Sequence, residues 1–384
     1  MSLRILFVST KYTGHGHHSI TEAMISQLAA QSPSTETSTL DGFELGGKLA
    51  VFLGKLYGPL TNHARFVWAL YYSFCNIFPR LMNHFIAKII EQNFLTALKR
   101  HVPDLIVSVH PAFVGSVNNI LKKHQLSIPV IALVADLASI NRLWADKRSA
   151  YTICPSAEAL DKVLSYGIAP EKTVIIGLPL RENFISAAKG ITIEALCKKT
   201  NRDLPVKKNY LKFLIISGAE GGSKQSKAAR ILLDNFCCHI TLITGRNNKL
   251  REKTEKKLLP LYKGRIDVLG FVHNIEDHYL QADILVMRAS PNSMMEAVMC
   301  CLPFIVIDAL PGQEQKNPDF IANNGLGLFC PKLEHLPSTV RTLLEKDSTA
   351  LKKIRRTQFA FRNLLTNEHV ADFLLNRFQE NRVP

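Results

Sequence analysis

The sequence predicts an α/β protein of two tandem domains, each a mainly parallel sheet covered by helices on both faces. Three observations predict it. At 384 residues the chain is long enough for two domains, each with its own core. Short apolar runs alternate with amphipathic stretches along nearly all of its length, the pattern of parallel strands joined by helical crossovers. The alternation loosens between Gly177 and about Asn209, where Pro179, Glu182, Asn183 and a lysine-rich stretch read as a linker. The expected division is therefore 1–178, a linker over 179–208, a second domain over 209–365, and a C-terminal helix over 366–384 that packs back on the first domain.

The elements follow in order. Arg4 to Ser9 reads as a first buried strand, too short and too soon followed by polar residues for a signal peptide. Gly14-His15-Gly16-His17-His18 comes next. Ser19 with Glu22 then has the spacing of a capping box opening a helix to about Ala30. Strands at Leu105 to Val109, Val130 to Val134, Tyr151 to Cys154 and Val174 to Ile176 alternate with helices near Val114 to Lys123 and at Ser156 to Tyr166. The second series runs through strand Phe213 to Ser217, helix Lys224 to Cys237, strand Ile240 to Thr244, helix Lys249 to Leu259 and strand Ile266 to Leu269. Two such domains in tandem place a site in the crevice between the carboxyl ends of their sheets, so the loops after strands carry function.

Residues 283–324 are the most informative of these loops. An apolar strand ends at Arg288, a polar turn follows, and Ser293 with Glu296 suggests a capping box and a helix through Met299. A helix N-terminus above a strand end presents free N–H groups and the positive end of the helix dipole, which suits the phosphates of a nucleotide. After strand Pro303 to Ile307 comes Pro311-Gly312-Gln313-Glu314-Gln315-Lys316-Asn317, whose paired hydrogen-bonding side chains suit a diol-rich ligand.

Composition narrows the class. Forty-seven Lys and Arg against 32 Asp and Glu give a net charge of +15, favouring anionic partners. The positive charge is dispersed and no nucleic-acid motif is present, so no nucleic-acid partner is expected. Eight cysteines without metal spacing read as buried thiols in a reducing compartment, with no metal site. The unbroken apolar run Phe66 to Phe78 is well short of the roughly 20 residues that cross a bilayer. Around it, Lys48, Lys55, Arg65, Arg80 and Lys88 punctuate leucines and aromatics from Leu45 to Phe94. Such a segment either lies at an anionic membrane surface or packs into the first core. A cytoplasmic protein on the inner face of the cell membrane is expected.

Several loops, in order, resemble one family: the GT-B glycosyltransferases related to monogalactosyldiacylglycerol synthases and processive diacylglycerol glucosyltransferases. The matching segments are Gly14-His15-Gly16-His17, Val134-Ala135-Asp136-Leu137 with Trp144, Gly177 to Arg181, Gly270 to Asn274, Ser290 to Glu296, and Pro311 to Glu314 with Asn317. They span essentially the whole chain. The resemblance implies two Rossmann-like domains with an interdomain cleft, and an inverting, metal-independent transfer of galactose or glucose from a UDP-sugar to a lipid such as diacylglycerol, without a cofactor. It further implies that Phe271 and Val272 hold the uracil, that Glu296 accepts from the ribose, and that Ser290, Asn292 and Ser293 face the diphosphate. Gln313 and Glu314 fall at the sugar, and Asn317 belongs to the same substrate- and nucleotide-binding set.

Such a transfer needs a base for the acceptor hydroxyl and a counter-charge for the departing UDP. His17, in its Gly-containing loop with Gly16, suits the first because imidazole titrates near neutral pH, with Asp136 as the alternative base or orienting group. Arg246 and the loop at Ser217 and Gly218 join the helix N-terminus in the second role. Alternatives remain: Asp136 could serve loop amides, the glycines only a turn, and Arg246 only the solvent. The chain departs from the family pattern at Ala135, at Ser217-Gly218-Ala219-Glu220 and at Ser290-Pro291-Asn292. A transferase acting on an isoprenoid-linked cell-wall precursor, or a non-catalytic module binding nucleotide or membrane, are the other readings.

Overall fold

A computed structural model describes residues 2–192, 194–196, 211–217, 223–366 and 369–378. The chain divides into two compact units. The first holds Met1–Glu182, Leu310–Lys316 and Leu365–Pro384, and the second holds Asn183–Ala309 and Asn317–Leu364. The sequence pattern assigns the Gln313 loop to the second domain, whereas in the structure it belongs to the first unit.

The first unit is a six-stranded parallel sheet of order β2-β1-β3-β4-β5-β6. Its strands are β1 (Arg4–Ser9), β2 (Glu36–Asp41), β3 (Leu105–Ser108), β4 (Val130–Leu133), β5 (Tyr151–Cys154) and β6 (Thr173–Ile175). The central strands β3 and β4 are buried throughout, as apolar runs covered on both faces must be. Its helices are α1 (Gly16–Gln31), α2 (Gly42–Leu45), α3 (Gly47–Lys55), α4 (Tyr57–His63), α5 (Arg65–Ile77), α6 (Pro79–His101), α7 (Pro111–Lys123) and α8 (Ala157–Ser165). A core of Leu6, Val8, Phe94, Ile106, Phe113 and Val117 joins β1 and β3 to α6 and α7.

The second unit repeats the plan in the order β12-β11-β10-β7-β8-β9, again all parallel. Its strands are β7 (Leu211–Ile216), β8 (Cys238–Ile243), β9 (Ile266–Leu269), β10 (Ile284–Arg288), β11 (Phe304–Asp308) and β12 (Leu328–Phe329). Around them lie α9 (Glu182–Lys189), α10 (Ser223–Asn235), α11 (Asn248–Leu258), α12 (Ile275–Gln281), α13 (Pro291–Met299), α14 (Asn317–Asn323) and α15 (Leu336–Thr366), the last kinked at Glu345 to Ser348. Helix α16 (Val370–Phe378) packs on α1 in the first unit, with Phe373 edge-on to Tyr151.

Three expectations change. Helix α1 starts at Gly16, so Ser19 lies inside it; His15 is the N-cap and Glu22 pairs with His18 at 3.2 Å instead of forming a capping box. Helix α13 starts at Pro291 behind Ser290, so Ser293 is likewise helical and caps nothing. Proline explains the shift, since its missing N–H and fixed φ suit the first helical position. The expected linker contains α9, which buries Phe184 and Ala188. Gly218 lies outside the described residues, as do 193 and 197–208 of the linker.

The segment from 45 to 94 packs partly into the first core and leaves the rest of its apolar residues exposed. Helix α6 buries Asn83, Ala87, Ile90 and Phe94, and α5 buries Trp68 and Cys75. The outer faces of α3, α5 and α6 leave Leu49, Phe52, Phe66, Leu70, Leu81 and Phe85 more than half exposed. No helix among the described residues is long and apolar enough to cross a membrane.

Candidate active site

Inside the first unit is a cavity of about 360 Å³. Its wall is mostly apolar, with Phe43, Leu53, Leu60, Trp68, Phe85 and Phe113 among its residues, and Thr13, His17, His110, Asp136, Asn141 and Gln313 supply polar groups. The indole N–H of Trp68 and the hydroxyl of Thr13 are buried there without a partner among the described residues.

His17 is brought to the cavity by a left-handed turn. Gly14 at φ 88° and His15 at φ 62° reverse the chain after β1, and His17 falls in the first turn of α1, only 7% exposed. Its Nδ1 lies 2.7 Å from the carbonyl oxygen of Val109. A carbonyl can only accept, so the neutral ring carries its proton on Nδ1 and keeps the lone pair on Nε2. Burial lowers the pKa to about 4, against the upward pull of the Val109 bond. The expectation of a group titrating near neutral pH is corrected accordingly. An imidazolium here would lose its hydration, so the ring stays neutral at physiological pH.

His110, which the sequence reading missed, stands beside it. The two rings meet edge to face with centroids 4.6 Å apart. His110 is the N-cap of α7, its Nδ1 accepting the N–H of Ala112 at 3.3 Å. Burial drives its pKa well below the ordinary value, and the charge of His17 would add to that. The signal was present: a histidine at a strand end followed by Pro111 marks a helix start in a loop that faces a site.

Asp136 follows β4 and is 3% exposed. Its Oδ2 accepts the indole N–H of Trp144 at 2.8 Å. Burial raises its pKa to about 6; bonds from Trp144 and Gln313 pull it down, and the nearby Glu314 charge pushes it up. Gln313 in turn accepts the Tyr57 hydroxyl at 3.3 Å, so Tyr57, Gln313, Asp136 and Trp144 form one chain of hydrogen bonds. Glu314 is buried, with Oε2 taking the N–H of Leu310 at 2.9 Å. The N–H of Lys316 donates to Ser139 Oγ at 2.8 Å. These bonds place Gln313 and Glu314 with Asp136 in the first unit.

In the second unit, β10 delivers Ser290 and Asn292 to the start of α13, with Ser293 one residue further. Glu296 is buried on α13, and Tyr279 donates to it at 3.4 Å. Arg246 is not merely solvated: its guanidinium lies 4.9 Å from the centre of the Phe271 ring, which is itself 49% exposed, with Val272 following. Ser217 follows β7, its hydroxyl buried and unpartnered among the described residues. Asn317 is fully buried, its amide donating to the Ala289 carbonyl at 2.8 Å, so it braces the turn before α13.

Comparison with known proteins matches these two units to two family models. Residues 17–180 match the model of monogalactosyldiacylglycerol (MGDG) synthase, and residues 214–367 match the glycosyltransferase family 28 C-terminal domain. A probable monogalactosyldiacylglycerol synthase 2 of Oryza sativa subsp. japonica is 27% identical over 335 residues, covering 83% of this chain and 68% of the relative. The monogalactosyldiacylglycerol synthase of Spinacia oleracea is 26% identical over 302 residues, 75% of this chain and 56% of the relative. Both are described as chloroplastic. Among solved structures, MurG of Acinetobacter baumannii superposes with a TM-score of 0.59 at 13% identity, covering 99% of this chain and 100% of that one. The UDP complex of S. aureus MnaA gives 0.64 at 12% identity, covering 99% and 96%. These two likenesses establish the fold.

Proposed function

This chain is a GT-B glycosyltransferase built from an MGDG synthase domain and a family 28 C-terminal domain, and on that premise we propose that it transfers galactose or glucose from a UDP-sugar to the hydroxyl of diacylglycerol or a similar lipid, with inversion and without a metal. The observation that carries the reading is the buried His17, whose free Nε2 lone pair lines a cavity that is otherwise apolar. Such a cavity favours acyl chains, and a neutral imidazole can take the proton of a hydroxyl as its oxygen attacks the anomeric carbon. Asp136, held by Trp144 and Gln313 on the wall of the same cavity, is the alternative base or the group that orients the acceptor.

The leaving UDP gains negative charge as its bond to the sugar breaks. The N-terminus of α13 and the guanidinium of Arg246 are the groups suited to meet it, with Glu296 for the ribose and Phe271 and Val272 for the base. The relatives' names supply the lipid, and the exposed apolar faces of α3, α5 and α6, with Lys48, Lys55, Arg80 and Lys88 exposed among them, suit docking on an anionic membrane surface.

The purified protein, given radiolabelled UDP-galactose or UDP-glucose and diacylglycerol in anionic vesicles, is expected to form a glycolipid. A well-folded protein that transfers neither sugar to any lipid removes the proposal.

A further inference from the structure

We infer that Tyr57 is a positioning residue for the transfer: its hydroxyl holds the oxygen end of the Gln313 amide and so turns the amino end onto Asp136. The inference rests on the reaction proposed above for its kinetic readout alone, and its spectroscopic readout stands without that reaction. The resemblance puts Gln313 at the sugar; its bonds here tie it to the wall of the cavity that it shares with His17.

Two contacts fix the amide in one orientation. An ionised carboxylate only accepts, so Asp136 takes its bond from the amino group of Gln313, and the amide oxygen accepts the Tyr57 hydroxyl at 3.3 Å. Turned over, the amide would set its oxygen against the carboxylate and its amino group against the phenol. Asp136 would then lose one of the two side-chain donors that oppose the effect of its burial, and keep the indole N–H of Trp144 at 2.8 Å. The phenol hydroxyl favours the first orientation because it offers the amide oxygen a proton.

Packing holds Tyr57 in place. It opens α4, is 8% exposed, and meets Trp68 edge-on with ring centroids 5.1 Å apart, in a small core that includes Leu310. Gly14 makes room for the ring, since a Cβ there would lie 3.1 Å from its Cε1. The Gln313 loop is anchored separately, by Glu314 on the N–H of Leu310 and by the N–H of Lys316 on Ser139. Among the described residues, the other ionisable groups near Asp136 are Glu314 from that loop, Tyr72 from α5, and His17 and His110 on the cavity wall. Glu314 opposes the ionisation of Asp136, whereas burial keeps Tyr72 and both histidines neutral near pH 6.

The test reads Asp136 in two ways. Trp144 is one of two tryptophans in the chain and bonds the carboxylate, so the part of the pH-dependent tryptophan emission that vanishes in Asp136→Asn reports its titration, with a midpoint expected near pH 6. Tyr57→Phe keeps the ring in its packing and removes the hydroxyl; it should raise that midpoint by about one pH unit. Gln313→Met should raise it as far, and the two together no further than either alone, as groups that act in series do. The acid limb of kcat/KM for transfer to diacylglycerol should move with the midpoint. An unmoved midpoint in Tyr57→Phe, shifts that add in the double variant, or a rate lost equally at every pH overturns the inference, the last because it is what packing alone would give. A wild type that transfers no sugar would remove the proposed function instead, and the emission would still decide the role of Tyr57.

Discussion

Trp144 holds Asp136. The indole N–H reaches Oδ2 at 2.8 Å in a site where the carboxylate is 3% and the indole 0% exposed, so the acid cannot swing to solvent when it ionises.

This has a measurable cost to stability. Burial raises the Asp136 pKa from 3.8 to about 6, so between those values the native state binds a proton that the unfolded chain does not. Stability falls as pH rises through that window, by about 3 kcal/mol in order of magnitude at neutral pH. Asp136→Asn should therefore be more stable than wild type above pH 6, with the gain vanishing below pH 4, while turnover drops. Urea unfolding across pH measures the difference. A variant less stable than wild type at pH 7 contradicts the burial argument.

His17 has the opposite linkage. Its folded pKa of about 4 lies below the ordinary 6.5, so on acidification the unfolded chain takes up a proton first and stability is lost as pH falls from 6.5 toward 4. In catalysis the ring is already unprotonated at pH 6. The acid limb of kcat/KM is thus expected near pH 6, from Asp136, and should flatten in Asp136→Asn. His17→Gln should cut kcat by about 10²- to 10⁴-fold with UDP affinity unchanged in calorimetry. Retained turnover would move the base elsewhere.

Gly312 cannot be replaced. It sits at φ 78°, and a Cβ there would meet the Tyr72 ring at 2.5 Å. Gly312→Ala should displace the loop that carries Gln313, costing about 1–3 kcal/mol in thermal unfolding and most of the activity. A variant of wild-type stability would show that this loop yields easily.

Membrane binding should depend on both kinds of exposed residue. Phe66→Ser with Phe85→Ser, at positions 75% and 56% exposed, should weaken flotation with anionic vesicles without lowering the melting temperature. Lys48→Glu with Lys88→Glu should weaken it most at low salt, each lysine near the surface being worth roughly 1 kcal/mol. Loss of folding in the double-serine variant would assign those rings to the core.

Periodicity and apolar runs revealed both sheets because parallel strands buried on both faces are written as nearly continuous Val, Ile and Leu. Strand β2, Glu-Thr-Ser-Thr-Leu-Asp, escaped that signal, since its pattern is half-exposed and its composition suits a loop. His17 and Asp136 were legible as polar residues in loops after strands. Their protonation was not, because it is set by burial and by Val109 and Trp144, which are distant or uninformative in the sequence. Gln313 was legible as a candidate, but its place beside Tyr57 depends on a contact spanning more than 250 residues. The shared Ser-x-x-Glu spacing misplaced two helix starts, where a proline in one case and a left-handed histidine in the other set the true boundary.

On the proposed membrane docking, the uncovered apolar faces of α3, α5 and α6 would make the bilayer a ligand of the native state. By mass action, any surface that binds the folded form and not the unfolded one raises the melting temperature with its concentration. Dilution away from lipid should therefore loosen these helices first, ahead of the sheet behind them.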